Sequence, residues 1–218
     1  MTELLVKAVL SYLLGSVIGS LLVARLTGGV DIRTLGSGNA GATNALRIQG
    51  SRIGLLVLGI DLAKGWIATG AIAPWVMPMA MVPPAPPPLS PWCAPLCAVA
   101  VMLGHIYPLW FGFRGGKGVA TLLGAVLGIG AWLLLPMILT WLVIVIAFGY
   151  VSLGSMLAAV ALPVVMALTG QSAPLLTFGV ASALLILYTH RANLARLHAG
   201  TEPRALRLWR FGARRGPA

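Results

Sequence analysis

The stretch VATLLGAVLGIGAWLLLPMILTWLVIVIAFGY, residues 119–150, decides the fold class. It holds no Lys, Arg, Asp or Glu, and the charge-free run continues through His190. Roughly 20 apolar residues cross a bilayer as one helix, so this run must cross more than once. In lipid the backbone has to satisfy its own hydrogen bonds, and a string of apolar helices does so. Four short spans, at about 118–133, 136–150, 152–169 and 173–190, use the whole run. Pro136, Pro163, Pro174 and Thr169-Gly170-Gln171 are the expected breaks.

The rest of the chain agrees. Of 218 residues, 59% are hydrophobic and 9% are charged, and mean hydropathy is +0.95. A soluble domain carries about 25% charged residues, so this chain could not cover itself with polar groups in water. The length leaves no room for a second, soluble domain. Upstream, a first span is expected over 4–25 and reads as a retained helix, because Glu3 precedes it and no small-residue cleavage site follows. Further spans are expected over about 53–73 and 92–111. Between these two lies 74–91, where eight prolines exclude a regular helix. Cys93 and Cys97, four apart on one apolar stretch, read as two buried thiols.

The net charge is +11, from 15 Lys and Arg against 4 Asp and Glu. The basic residues of 25–52, 114–117 and 191–215 lie in loops and the C-terminal tail, where they orient the protein rather than bind nucleic acid. The positive-inside tendency puts all three segments in the cytoplasm. The expected architecture is therefore an all-α polytopic transmembrane bundle of about seven short spans, with five as the alternative. The N-terminus is outside and the C-terminus cytoplasmic. Some of these spans fall at or below the ~17-residue minimum.

Three polar segments interrupt the apolar background. The first is Asp31-Ile-Arg-Thr-Leu-Gly-Ser-Gly-Asn-Ala-Gly-Ala-Thr-Asn-Ala-Leu-Arg47. Gly36, Gly38 and Gly41 let backbone N–H groups approach a ligand. Ser37, Asn39, Thr43 and Asn44 add neutral donors, Arg33 and Arg47 add forked cationic ones, and a helix is expected to start near Ala40. Small donors plus arginine describe an oxyanion or phosphate site; a solvated glycine-rich loop is the plainer alternative. The second is Gly104-His-Ile-Tyr-Pro-Leu-Trp-Phe-Gly-Phe-Arg-Gly-Gly-Lys-Gly118. Gly115, Gly116 and Gly118 around Lys117 suggest another backbone cradle with a point charge. Phe111 and Gly118 stand where a Walker A loop needs Gly and Ser or Thr. His105 reads as a structural histidine before a ligand.

The third is His190-Arg-Ala-Asn-Leu-Ala-Arg-Leu-His-Ala-Gly-Thr-Glu-Pro-Arg204. His190 and Asn193, three apart, share one side of a helix end, and Glu202 is expected to order the tail through an arginine. Within the membrane, Asp61 and Lys64 are three apart and read as a structural ion pair. Ser152, at a span's cytoplasmic end, is placed to reach the site. No G-x-S-x-G elbow, no His followed five residues on by Asp, and no Asp-rich phosphatidyltransferase motif is present. So few carboxylates make a clustered metal site an unlikely design, and no metal or other cofactor is expected.

The three segments together resemble the signature motifs of the bacterial acyl-phosphate:glycerol-3-phosphate acyltransferase family of integral membrane enzymes. Tyr12-Leu-Leu-Gly-Ser16, Asp31-Ile-Arg33 and Gly36 to Asn44 resemble the first motif. Gly104-His-Ile-Tyr-Pro108 and Gly115-Gly-Lys-Gly-Val-Ala-Thr121 resemble the second, and His190-Arg-Ala-Asn193 with Gly200-Thr-Glu-Pro-Arg204 the third. Asp61-Leu-Ala-Lys-Gly65 and Ser152-Leu-Gly-Ser155 also fit. One departure is Val17-Ile18-Gly19, where a proline is expected after the serine; the 74–91 stretch and the arginine tail are others.

The resemblance implies acyl transfer from acyl-phosphate to the sn-1 hydroxyl of glycerol-3-phosphate, giving 1-acyl-glycerol-3-phosphate, in the bacterial inner membrane. The single domain spans 1–218, with active-site loops at about 27–52, 112–118 and 190–204. Ser37, Asn39 and the Gly36–Gly38 amides would hold the acyl-phosphate. Arg47 and Lys117 would grip glycerol-3-phosphate, helped by Thr43, Asn44, His105, Gly115, Gly116, Gly118 and Ser152. His190 and Asn193 would orient its hydroxyl or the phosphates. Asp31, Asp61, Lys64 and Glu202 are assigned structural roles. The expected partners are the two substrates and membrane lipid, with a monomer as the functional unit. The family mechanism implied is substrate-assisted, with Ser37 as a covalent nucleophile the rival. A membrane transporter of a phosphorylated small solute is the alternative function.

Overall fold

A computed structural model of the chain describes residues 2–76 and 90–204. Most of the proline-rich 74–91 stretch and the arginine tail beyond Arg204 lie outside the described residues. Among those described, the structure is helical and contains no strand. In order come α1 (Thr2–Gly15), α2 (Gly19–Thr27), α3 (Ala42–Gln49), α4 (Ser51–Ile67), α5 (Cys93–Ile106), α6 (Val119–Gly130), α7 (Leu134–Phe148), α8 (Val151–Leu168), α9 (Ala173–Thr189) and α10 (Arg191–His198). Four helical stretches are long and apolar enough to cross a membrane, or six if two bent pairs each count as one span. The protein is a multi-pass membrane protein.

The helices pack where small residues let backbones approach. A Cβ on Gly15 or Gly104 would collide with the facing backbone across the α1–α5 contact, and one on Gly65 or Gly124 would do so across α4–α6. A buried cluster joins α5 to α9 through Met102, Leu122, Met137, Leu162, Phe178 and Ile186.

The turns differ from the sequence expectation. Pro136 sits in the first turn of α7, where its missing N–H has no partner to lose. Pro163 lies inside α8, which runs on to Leu168. Glycines make the breaks instead. Gly130 is extended (φ −177°, ψ 104°), and Gly149 and Gly170 are left-handed, a conformation glycine adopts without Cβ strain. Gly170 and Pro174 mark the α8–α9 turn as expected.

The first span is also broken: α2 turns 49° from α1. Here the buried Lys64 of α4 satisfies the orphan carbonyls at the end of α1, donating to Gly15 O (3.1 Å) and Val17 O (2.8 Å). The first amide of α2, Gly19 N–H, donates to Asp61 Oδ1 at 3.4 Å. A lysine–aspartate pair thus organises the bend where a proline is absent. Lys7, passed over in the sequence, is fully buried near the other end of α1. Its Nζ pairs with Glu3 at 2.7 Å and donates to Ala73 O at 2.8 Å. Cys93 and Cys97 are buried and unbridged.

Candidate active site

The first polar segment is folded around one side chain. Asn44, buried in α3, donates to Ile32 O (2.9 Å) and Leu35 O (3.0 Å) and accepts from Ser37 N–H (3.0 Å). Both its donors are spent on the loop, so Asn44 shapes the loop and is not free to bind phosphate as the sequence suggested. Gly36 is left-handed (φ 58°), and a Cβ there would also strike Asn44 Oδ1. Gly38 N–H is likewise spent, on Leu35 O at 3.0 Å. The amides of residues 37 and 38 therefore do not form the expected cradle.

Arg33 is a second correction. Its guanidinium pairs with Asp31 at 2.7 Å and donates to Phe111 O (3.0 Å) and Arg114 O (2.9 Å). It ties the first loop to the second instead of facing a ligand. The bond from Arg33 holds the Asp31 carboxyl below the usual carboxylate range.

In the second segment, Gly115 N–H donates to Ile106 O and Gly116 N–H to His105 O, both at 3.1 Å. These amides are not available to an oxyanion. The two glycines are there for space: a Cβ on Gly115 would strike His105 O, and one on Gly116 would strike the His105 ring at Nε2. His105 is itself buried against Lys64 and Asp61. Gly118 is left-handed (φ 87°) and starts α6.

The third segment is a closed network. Ser152 Oγ–H and Asn193 Nδ2–H both donate to Glu202 Oε1 at 2.6 Å, and Arg196 Nε–H donates to Oε2 at 2.7 Å. Burial would push the Glu202 carboxyl up, but these three bonds hold it below its ordinary range. Lys117 Nζ donates to Asn193 Oδ1, so the second and third segments meet.

All three converge on a cavity of about 590 Å³. The first segment lines it with Gly36, Ser37, Asn39, Thr43, Asn44 and Arg47. The second contributes His105, Lys117 and Gly118, and the third His190, Asn193 and Glu202. Asp61 and Ser152 also border it, whereas Gly38, Gly115, Gly116, Asp31 and Lys64 do not. Burial, with repulsion from Arg196 and Arg47, pulls Lys117 down to about 8. Burial also lowers Arg47, whose buried Nε has no protein partner among the described residues.

Sequence reasoning missed two features. Arg196 lines the cavity three residues on from Asn193, a spacing that could have revealed it. Leu55, Leu58, Leu123 and Trp141 form an apolar wall, which no local signal separates from ordinary lipid-facing residues. Leu55 is also 66% exposed on the outer face of α4, so the wall is continuous with surface that lipid would cover. A polar, cationic end joined to an apolar wall suits a ligand with an anionic head and a long hydrocarbon.

Comparison with known proteins points the same way. The family profile described as glycerol-3-phosphate acyltransferase matches residues 5–200. A glycerol-3-phosphate acyltransferase of Bordetella pertussis is 43% identical over 201 residues, covering 90% of this chain and 89% of the relative. One from Thermosynechococcus vestitus is 40% identical, covering 90% and 92%. The crystal structure of PlsY (YgiH), an integral membrane glycerol 3-phosphate acyltransferase in its glycerol 3-phosphate form, superposes with a TM-score of 0.81 at 37% identity, covering 92% of this chain and 94% of that one. The lysophosphatidic acid form superposes at 0.80, with 35% identity and 94% and 98% coverage. The extent of these matches, together with the convergence of all three polar segments on one cavity, establishes that the chain belongs to the glycerol-3-phosphate acyltransferase family.

Proposed function

We propose that this chain transfers a fatty acyl group from acyl-phosphate to the sn-1 hydroxyl of glycerol-3-phosphate in the bacterial inner membrane, working as a monomer from its cytoplasmic face. The observation that carries the reading is the union, in one cavity, of Arg47 and Lys117 with an apolar wall open to the lipid side. Both substrates carry phosphate, and one carries an acyl chain.

The same cavity supports a reading of seven crossings. Gly118 and Val151 both border it, so the chain between them leaves this membrane face and returns. The extended Gly130 divides that passage into α6 and α7. In this reading α1 and α2 are one bent span and α4 to α9 are six, and basic segments on the cytoplasmic face put the N-terminus outside. The 12 residues of α6 extend only about 18 Å, so neighbours must shield its ends.

Arg47 and Lys117 hold the phosphates. Ser37 and Asn39 donate to the acyl-phosphate. His190 Nδ1 lies 2.8 Å from Ile186 O, which can only accept, so Nδ1 carries the proton and Nε2 is left as an acceptor. That acceptor takes a hydrogen bond from the sn-2 hydroxyl and so orients the glycerol, leaving the sn-1 hydroxyl proton free to move to the phosphate. The sn-1 hydroxyl oxygen attacks the acyl carbonyl carbon, the bond from that carbon to the phosphate oxygen breaks, and the hydroxyl proton leaves with the departing phosphate. No protein base is then required.

Purified protein given labelled glycerol-3-phosphate should form lysophosphatidate with palmitoyl-phosphate and not with palmitoyl-CoA. Absence of product from both donors, in folded protein, would overturn the reading. Ser37→Ala should lower kcat/KM about 10²-fold, the effect of one lost donor, and leave measurable turnover. A trapped acyl-enzyme in the parent protein, together with complete inactivity of the variant, would instead make Ser37 a nucleophile. Because Lys117 must be protonated to hold phosphate, kcat/KM should be flat below its value of about 8. Above that pH it should fall tenfold per unit.

A further inference from the structure

The two cavity histidines face opposite partners. We infer that the buried Asp61–Lys64 pair fixes His105 as its Nε2–H tautomer, and that this N–H donates to a phosphate oxygen of the bound substrate. Lys64 Nζ lies 2.7 Å from His105 Nδ1. It has Asp61 Oδ1 at 2.8 Å and the Gly15 and Val17 carbonyls as its other neighbours. All of these are acceptors, and an ammonium only donates. Two N–H groups cannot face each other at 2.7 Å, so Nδ1 accepts from Lys64 although Asp61 Oδ1 also lies 3.4 Å from it, and the ring proton is placed on Nε2.

Nε2 makes no hydrogen bond to the protein among the described residues, although His105 is only 2% exposed. The small part of the residue that is open borders the cavity that holds Arg47 and Lys117. Gly116 packs closely against this ring edge, where a side chain would collide with Nε2 and displace the ring. An N–H with no protein partner, on a ring that borders a cavity holding two cations, is complementary to an anionic oxygen. The cluster adds a donor without adding charge, because Asp61 balances Lys64. His105 is thus a direct ligand of phosphate, and Asp61 and Lys64 are positioning residues that act through it.

This inference rests on the acyl-transfer reading only for the identity of the phosphate compound. The chain has three histidines, so 15N-histidine spectra of the detergent-solubilised protein can be assigned with one single-histidine variant of each. At pH 7, His105 should show the Nε2–H tautomer and His190 the Nδ1–H tautomer. Saturating inorganic phosphate or glycerol-3-phosphate should shift the His105 Nε2–H resonance, and the two titrations distinguish which phosphate it contacts. An Nδ1–H or doubly protonated His105, or a ring unmoved by both compounds, overturns the inference.

Variants give an independent reading. Gln places an amide N–H near the Nε2 position, whereas Asn places its amide near Nδ1 and can only satisfy Lys64. His105→Gln should keep kcat/KM within about tenfold of the parent, and His105→Asn should lose about 10²-fold. If His105 serves only to satisfy Lys64, the order reverses, and that result would sink the proposal. Transfer by the parent preparation is measured alongside: its absence counts against the acyl-transfer reading, while the ring tautomer and the response to inorganic phosphate judge this one.

Discussion

Lys117→Met should lower kcat/KM by about 10³-fold, or about 4 kcal/mol of transition-state stabilisation, while the protein stays folded. The side chain keeps its length and loses its charge. Lys117 lies among Arg47, Arg196, Glu202 and Asn193; the two arginines repel it and Glu202 attracts it, so loss of its cation is expected to cost little stability. A melting temperature in detergent within about 2 °C of the parent would separate a site effect from a packing effect. The kinetic split then locates the interaction. If Lys117 only grips the ground-state phosphate of glycerol-3-phosphate, KM rises and kcat holds. If it stabilises charge developing on the departing phosphate, kcat falls. Lys117→Arg should not restore full activity, because a planar fork cannot reproduce a point charge bonded to Asn193 Oδ1. A methionine variant with unaltered kcat/KM would remove Lys117 from the site.

The second large effect is expected from a methyl group. Gly115→Ala should reduce transfer by about 10²-fold and also lower the melting temperature. Its Cβ would fall on the His105 carbonyl oxygen and close to Pro108 Cδ at 2.8 Å, and neither backbone nor ring can swing aside. Relief requires breaking the Gly115 N–H bond to Ile106 O and the Gly116 N–H bond to His105 O, which releases the turn that aims Lys117. Overpacking of this kind costs about 1–3 kcal/mol. Gly59→Ala is the matched control. Nothing lies within 4 Å of its would-be Cβ, and alanine within α4 should be neutral or slightly stabilising. Equal behaviour of the two variants would mean that the close approach at Gly115 does not matter.

Much of this was legible in the sequence because it depends on sums along the chain. A 9% charged fraction and a charge-free run from Val119 to His190 fix a membrane helix bundle, since lipid accepts such a surface and water does not. The three basic, glycine-bearing segments identify the regions that meet, and the Asp61–Lys64 spacing identifies a buried pair, found at 2.8 Å. The turns were less legible. Pro136 and Pro163 look like breaks, but Pro136 sits in the first turn of α7, where no N–H bond is lost, and α8 runs on past Pro163, whereas Gly149 and Gly170 take left-handed angles that other residues resist.

The allocation of polar groups within the site was legible only in part: Glu202 pairs with an arginine as expected, but which loop groups stay free was not readable. Arg33 and Arg47 carry the same group in the same loop. One is spent on Asp31 and two carbonyls, and the other borders the cavity. Asn39 and Asn44 both border the cavity, but Asn44 is spent on its own loop, and Gly115 and Gly116 supply room for His105 rather than amides for a ligand. The sequence by itself determined the solvent, the helices and the kinds of side chain available to the chemistry. Only the tertiary structure decided which of them remain free to bind. A hydrogen-bonding group is committed or free according to the partners within about 3 Å, and here those partners come from helices far apart in the chain.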